Sequence, residues 1–177
     1  NINNMPTSSN ESTPKKGRFF RYLIPSFVGI ILGLCGYIFY LSKAHSYLSD
    51  DPKACVNCHI MEPEYATWSH SSHGRNTVCN DCHVPHDNVF RKYYFKANDG
   101  LRHATMFTFR LEPQVIKMHA TGQKVVQENC IRCHSTLVSE VRLGKVTAPM
   151  AHADNGKLCW ECHREVPNSR VRGLNSA

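Results

Sequence analysis

Four five-residue stretches concentrate the reactive side chains of this sequence: Cys55-Val56-Asn57-Cys58-His59, Cys79-Asn80-Asp81-Cys82-His83, Cys130-Ile131-Arg132-Cys133-His134 and Cys159-Trp160-Glu161-Cys162-His163. Two thiols separated by two residues and followed at once by an imidazole form the attachment pattern of c-type haem. The thiolates make thioethers to the porphyrin vinyl groups, and the adjacent histidine offers a nitrogen to the iron. The competing chemistry is zinc, since four Cys-x-x-Cys pairs could make two tetrahedral all-cysteine sites. Such sites are indifferent to the residue after the second cysteine. Histidine is 11 of 177 residues, so its presence there four times out of four has a chance probability of roughly 10⁻⁵. The pattern therefore predicts four covalently bound haem c groups.

Four haems need up to eight axial ligands, and the motifs supply His59, His83, His134 and His163. Seven further histidines could complete the set: His45, His70, His73, His86, His103, His119 and His152. Bis-histidine ligation gives low-potential electron-transfer haems. Each of these residues taken singly could equally be an ordinary exposed histidine. The first motif differs from the others because Met61 follows two residues after His59. A thioether sulfur ligates haem iron and raises its potential, so Met61 competes with His59 for the axial position.

Composition narrows the class further. Of nine cysteines, eight belong to the motifs and the ninth, Cys35, sits in an apolar run. Haem attachment of this kind belongs outside the bacterial cytoplasm, as disulfide formation does, so an export signal is expected. The formal net charge is +7. Four haems would bring about eight propionate charges, leaving the loaded protein near neutral; no nucleic-acid partner is inferred from the charge. Porphyrins also supply buried apolar area, so few apolar side chains are needed for a core.

The elements that must carry these groups read as follows. Residues 1–17, rich in Asn, Ser, Thr and Pro, form a disordered cytoplasmic tail. Residues 18–43 form an anchor helix: no charge occurs from Tyr22 to Ser42, a length of roughly 31 Å as helix, enough for a bilayer core. Lys15, Lys16, Arg18 and Arg21 precede the charge-free run and place the N-terminus in the cytoplasm by the positive-inside rule. The apolar run is too long for a cleaved signal peptide and no small-residue cleavage site follows, so an uncleaved anchor is expected. Pro25 falls in the first turn of this helix, where its missing N–H costs little. Gly29 and Gly33 make one G-x-x-x-G, a face through which copies of the helix could pair.

Residues 44–177 form the exported tetrahaem domain. Motifs begin at residues 55, 79, 130 and 159, close enough that little room is left for sheets. The expected fold is mainly α with extensive loops, a single transmembrane helix followed by a compact multihaem domain. In the longest interval, Asp87 to Arg110 interleaves aromatic residues with Arg91, Lys92, Lys96 and Arg102. It reads as an amphipathic helix packed on haem, or as one lying at the membrane surface, and Gly100 is expected to break it in two.

These residues together resemble the NapC/NirT family of membrane tetrahaem cytochromes. The Cys58-His59-Ile60-Met61 variant and the phrases W-S-H-S-S-H, C-N-D-C-H-V-P, K-A-N-D-G and C-W-E-C-H-R-E-V-P are similar to its nitrite-reductase branch, over roughly residues 20–170. Members of that branch are small, menaquinol-oxidising subunits of cytochrome c nitrite reductase. The resemblance implies that Met61 ligates the first haem, that Asp99 is the acidic residue beside it, and that Lys92, seven positions earlier, accompanies Asp99. Seven residues are two helical turns, so both side chains can share a face. A carboxylate there could take a quinol proton, and the lysine could hold it charged or bond a quinol oxygen. The resemblance also implies His73 and His152 as distal ligands and gives His103 a family-like position. Relatives commonly have a histidine five residues after the last motif histidine; here that position is Asn168.

The function so implied is oxidation of menaquinol in the bacterial inner membrane, the electrons passing through a periplasmic haem domain to a cytochrome c nitrite reductase catalytic subunit that makes ammonium. Two rivals stay open: a quinol-oxidising hub for another periplasmic reductase (nitrate, trimethylamine N-oxide or metals), and an electron-transfer cytochrome without a quinol site.

Overall fold

The computed structural model describes residues 15–113, 116–138 and 145–167. Among them there are helices, 3₁₀ turns and loops, and no strand, in agreement with the expected mainly α class. The chain divides into two units, Asn1–Ser42 and Lys43–Ala177.

The first unit is helix α1, Lys15–Leu41. Within it the 23-residue segment Phe19–Leu41 contains an 18-residue window of mean hydropathy 2.0, none of that window buried in the protein. At about 1.5 Å per residue that segment is about 35 Å long, enough to cross a hydrocarbon core. One expectation is corrected here. The helix starts before the charge-free run, so Pro25 lies in its interior and not in its first turn. An interior proline removes one backbone bond and crowds the preceding turn, a defect that apolar membrane-type helices tolerate better than soluble ones. A Cβ placed on Gly29, Gly33 or Gly36 would meet no atom within 4 Å, leaving that side of α1 open.

The second unit begins in short 3₁₀ turns, Ala44–Leu48, Pro52–Asn57 and His59–Met61, followed by α2, Glu62–Ser69. Asp51 starts the second of these turns by accepting a hydrogen bond from the Lys53 N–H at 2.9 Å, with Pro52 supplying a helix-compatible φ. A 3₁₀ turn at His73–Arg75 leads to α3, Cys79–His83, which holds the second motif. The turn sits tightly on α2, because a Cβ on Gly74 would strike the Trp68 carbonyl.

Helix α4 runs Val89–Thr108 without interruption, started by Asn88, whose side chain accepts from the Phe90 N–H at 2.8 Å. The expected break at Gly100 does not occur. A lone helical glycine costs only about 1 kcal/mol relative to alanine, which the remaining turns of a long capped helix outweigh. Its polar residues Lys92 and Lys96 turn inward while Phe90, Tyr94 and Leu101 are exposed.

Helix α5, Ala120–Cys133, ends in the third motif; α6, Ser135–Val138, follows it. The chain then passes through α7, Ala148–His152, to α8, Cys159–Cys162, which holds the fourth motif. Helices α3 and α7 both contact α5. Among the described residues the buried apolar side chains are Ala54, Val84, Val125, Val126, Val146, Ala148 and Leu158. Gly156 (φ 141°) lets the chain approach Val146 so closely that a Cβ would lie 2.8 Å from its methyl groups.

Candidate functional site

Each attachment motif lies in a short helical turn or, for the third, at the end of α5, and its third residue fastens it. In α3 the Asp81 carboxylate accepts from the Val78 N–H at 2.8 Å, and in α8 Glu161 accepts from the Leu158 N–H at 2.6 Å. A carboxylate at a helix start satisfies an orphan donor and favours the positive end of the dipole. In the first motif Asn57 reaches back to the Ser46 hydroxyl at 2.9 Å. In the third, Arg132 donates to the Asn129 side chain at 3.1 Å and to the Asp81 carbonyl at 3.2 Å, tying it to the second motif.

The thiols follow one another in chain order. Cys55 lies beside Cys79, Cys82 near Cys133, and Cys130 beside Cys159. The neighbouring Cys79 pulls the Cys55 thiol down to about 7, and the neighbouring Cys55 pushes Cys79 up. Burial pushes Cys82 up, and burial with the neighbouring Cys159 and Cys82 charges pushes Cys130 up to about 12. None of the eight motif cysteines is in a disulfide, and the first of each pair is half-buried. No group of three or more His, Cys, Asp and Glu side chains is gathered at metal distance among the described residues.

The donor set fits covalent haem. Paired thiols at fixed spacing, an imidazole directly after each pair and a thin protein core match a polypeptide wrapped on porphyrin. Cys55 and Cys58, Cys79 and Cys82, Cys130 and Cys133, Cys159 and Cys162 would hold it, with His59 or Met61, His83, His134 and His163 on the metal side. Met61 is half-buried and His59 exposed. His83 is half-buried; burial lowers its pKa, the Asp99 charge opposing and His103 assisting. The rings of His73 and His134 are 6.1 Å apart at 70°. The structure thus brings His73 to the third motif, a pairing that no sequence spacing revealed.

Other histidines have local partners. His152 bonds Gln123 at 2.7 Å, His70 bonds the Ala66 carbonyl at 2.9 Å, His86 bonds the Asn80 carbonyl at 3.0 Å, and His119 caps α5. Asn168, the position of the missing family histidine, lies outside the described residues.

Lys92 and Asp99 lie on one side of α4 together with Lys96 and His103. They do not pair with each other. Lys92 Nζ lies 2.6 Å from Asp50, and Asp99 Oδ2 lies 3.6 Å from His103 Nδ1. Two helical turns separate Lys92 from Asp99 by about 10 Å along the axis, too far for a direct ion pair, whereas His103 is one turn away. Asp50, which the sequence did not single out, also receives Lys96 at 3.0 Å and the Asn80 amide at 2.7 Å. The Lys92 ammonium foremost, with Lys96 and Asn80 and against partial burial, holds its carboxyl well below the usual range. Two groups near the first motif are also perturbed. Burial lifts the Glu64 carboxyl to about 7, and burial with the neighbouring Cys58 lifts Tyr47 to about 12.

Residues 16–172 match the model of the NapC/NirT cytochrome c family, N-terminal region. The chain is 43% identical to the cytochrome c-type protein NrfH of Wolinella succinogenes, over 91% of this chain and 93% of that protein. It is 34% identical to the cytochrome c nitrite reductase subunit NrfH of Nitratidesulfovibrio vulgaris, over 72% and 74%. In structure it is similar to a chain in the crystal structure of the cytochrome c nitrite reductase NrfHA complex bound to the HQNO inhibitor, with a TM-score of 0.56 and 31% identity over 81% of this chain and 88% of that one. With its thiol pairs, adjacent imidazoles and thin core, the chain belongs to the NapC/NirT cytochrome c family and carries covalently bound haem c.

Proposed function

We propose that this chain is a membrane-anchored tetrahaem cytochrome that oxidises menaquinol and delivers the electrons to the catalytic subunit of a cytochrome c nitrite reductase, which reduces nitrite to ammonium. The observation that carries this reading is the 43% identity with a NrfH protein across 91% of the chain. Residues 18–43 anchor the chain, the basic residues before them keep residues 1–17 on the cytoplasmic side, and residues 44–177 face the periplasm. The outward aromatic side of α4, with Phe90 and Tyr94 exposed, suits a lipid surface, and the open Gly29/Gly33 side of α1 suits a second copy.

Bound haem iron supplies one-electron acceptance, tuned by its axial ligands. The chain's own residues do the rest. Met61 would hold the iron at the first motif, His73 and His134 would hold the iron at the third, and His83, His152 and His163 would serve the others. Menaquinol loses two protons and two electrons on becoming menaquinone. The Asp99 carboxylate takes a proton from a quinol hydroxyl, and His103, 3.6 Å away, is placed to receive it next. Lys92, held by Asp50, presents a fixed positive charge on the same side of α4.

Purification from detergent-solubilised membranes tests the partner. A pentahaem nitrite reductase should accompany the chain in stable stoichiometry; a molybdoenzyme in its place would move the assignment to another reductase. Reduction of the purified cytochrome by a menaquinol analogue tests the donor, and no reduction would leave an electron-transfer cytochrome without a quinol site.

A further inference from the structure

Helix α5 reaches two of the attachment motifs through buried carboxamides. Gln127, 1% exposed, donates from Nε2 to the Val146 carbonyl at 3.0 Å and accepts at Oε1 from the Cys159 N–H at 3.0 Å. Asn129, 5% exposed, donates from Nδ2 to the carbonyls of Cys82 at 2.9 Å and Val84 at 2.8 Å. Its Oδ1 accepts from Arg132 of the third motif at 3.1 Å. Positions two apart on a helix are turned by about 200°, so the two amides leave α5 on opposite sides. One grips the first cysteine of the fourth motif and the other the end of the second. The helix carrying both ends in the third.

Filling space does not explain these residues. A buried amide is costly unless its polar atoms are bonded, and an apolar side chain of similar volume would fill the same room without that demand. A fully bonded buried network adds direction: it selects one arrangement of the segments it joins.

We propose that Gln127 and Asn129 are positioning residues for electron transfer, fixing the fourth and second attachment motifs against the third and so setting the spacing of the redox centres along the chain. The proposal rests on the reading of these motifs as haem sites. Electronic coupling between centres falls steeply with their separation, so a small displacement of Cys159 or Cys82 changes the transfer rate.

The test uses the full chain in detergent with Gln127→Met and Asn129→Leu, which remove the bonds and keep most of the volume. Intact mass counts covalent haem. Potentiometric titration and electron paramagnetic resonance then read each centre, and rapid reduction followed optically reads the transfer rate. The expected result is four haems in each variant, an altered signal at one site for Gln127→Met and at a different one for Asn129→Leu, and electron passage slowed at least about tenfold, a scale on which small misplacements cost rate. Loss of haem from the fourth motif alone in Gln127→Met, located by peptide mass, also supports the proposal. Unchanged signals and rates beside a lower melting temperature would overturn it, as would loss of haem from every motif in both variants. Fewer than four haems on the unmodified chain would instead overturn the haem reading beneath it.

Discussion

The Lys92 ammonium is 2.6 Å from the Asp50 carboxylate, so the lysine expected to serve Asp99 is anchored to the segment just before the first motif. Lys96 meets the same carboxylate at 3.0 Å, and the Asn80 amide, inside the second motif, reaches it at 2.7 Å. One acid therefore ties α4 to the approaches of both motifs. Charge-assisted bonds are the stronger kind, and here three converge on a carboxylate that is only partly exposed.

Replacing Asp50 by Asn should free both lysines. The expected outcome is a raised KM for a menaquinol analogue with the haem content unchanged, measured by steady-state reduction and intact mass. Because the folded pKa of Asp50 is depressed, its stabilising effect is present above about pH 4 and fades as pH falls toward the folded value. Melting curves of the parent and Asp50→Asn should therefore differ at neutral pH and converge in strong acid. A gap that widens on acidification would remove this role.

Asp99→Asn keeps the shape and removes the base. Oxidation of a menaquinol analogue should fall by about 10²-fold or more, the usual scale for loss of a general base, with all four haems still attached. Turnover at the parent rate would take Asp99 out of the reaction.

Met61→His exchanges a thioether for an imidazole. The potential of one haem should drop, since methionine ligation raises it, and a potentiometric titration reads the change directly. If every potential stays where it was, His59 is the ligand at the first motif.

His73→Ala removes one of two imidazoles whose rings stand 6.1 Å apart. One low-spin signal should become high-spin, and it should be the same signal that His134→Ala disturbs. Changes at two different centres would separate the pair.

The chemistry of attachment is written in adjacent residues. Thiol, thiol and imidazole within five positions need no tertiary structure to be recognised, and neither does an uninterrupted apolar run such as Phe19–Leu41. The caps of α3 and α8 belong to the same class, because Asp81 and Glu161 act across three residues. Even local readings had limits: Gly100 was expected to break α4 and Pro25 to fall in the first turn of the anchor, yet both lie inside continuous helices. What the fold alone decided are contacts between residues far apart in sequence. Gln127 with Cys159, Asn129 with Cys82, Asp50 with Lys92 and His73 with His134 each join segments whose meeting depends on packing against α5 and α4. Side-chain type announces what a residue can bond. Only the path of the chain decides which partner comes within 3 Å.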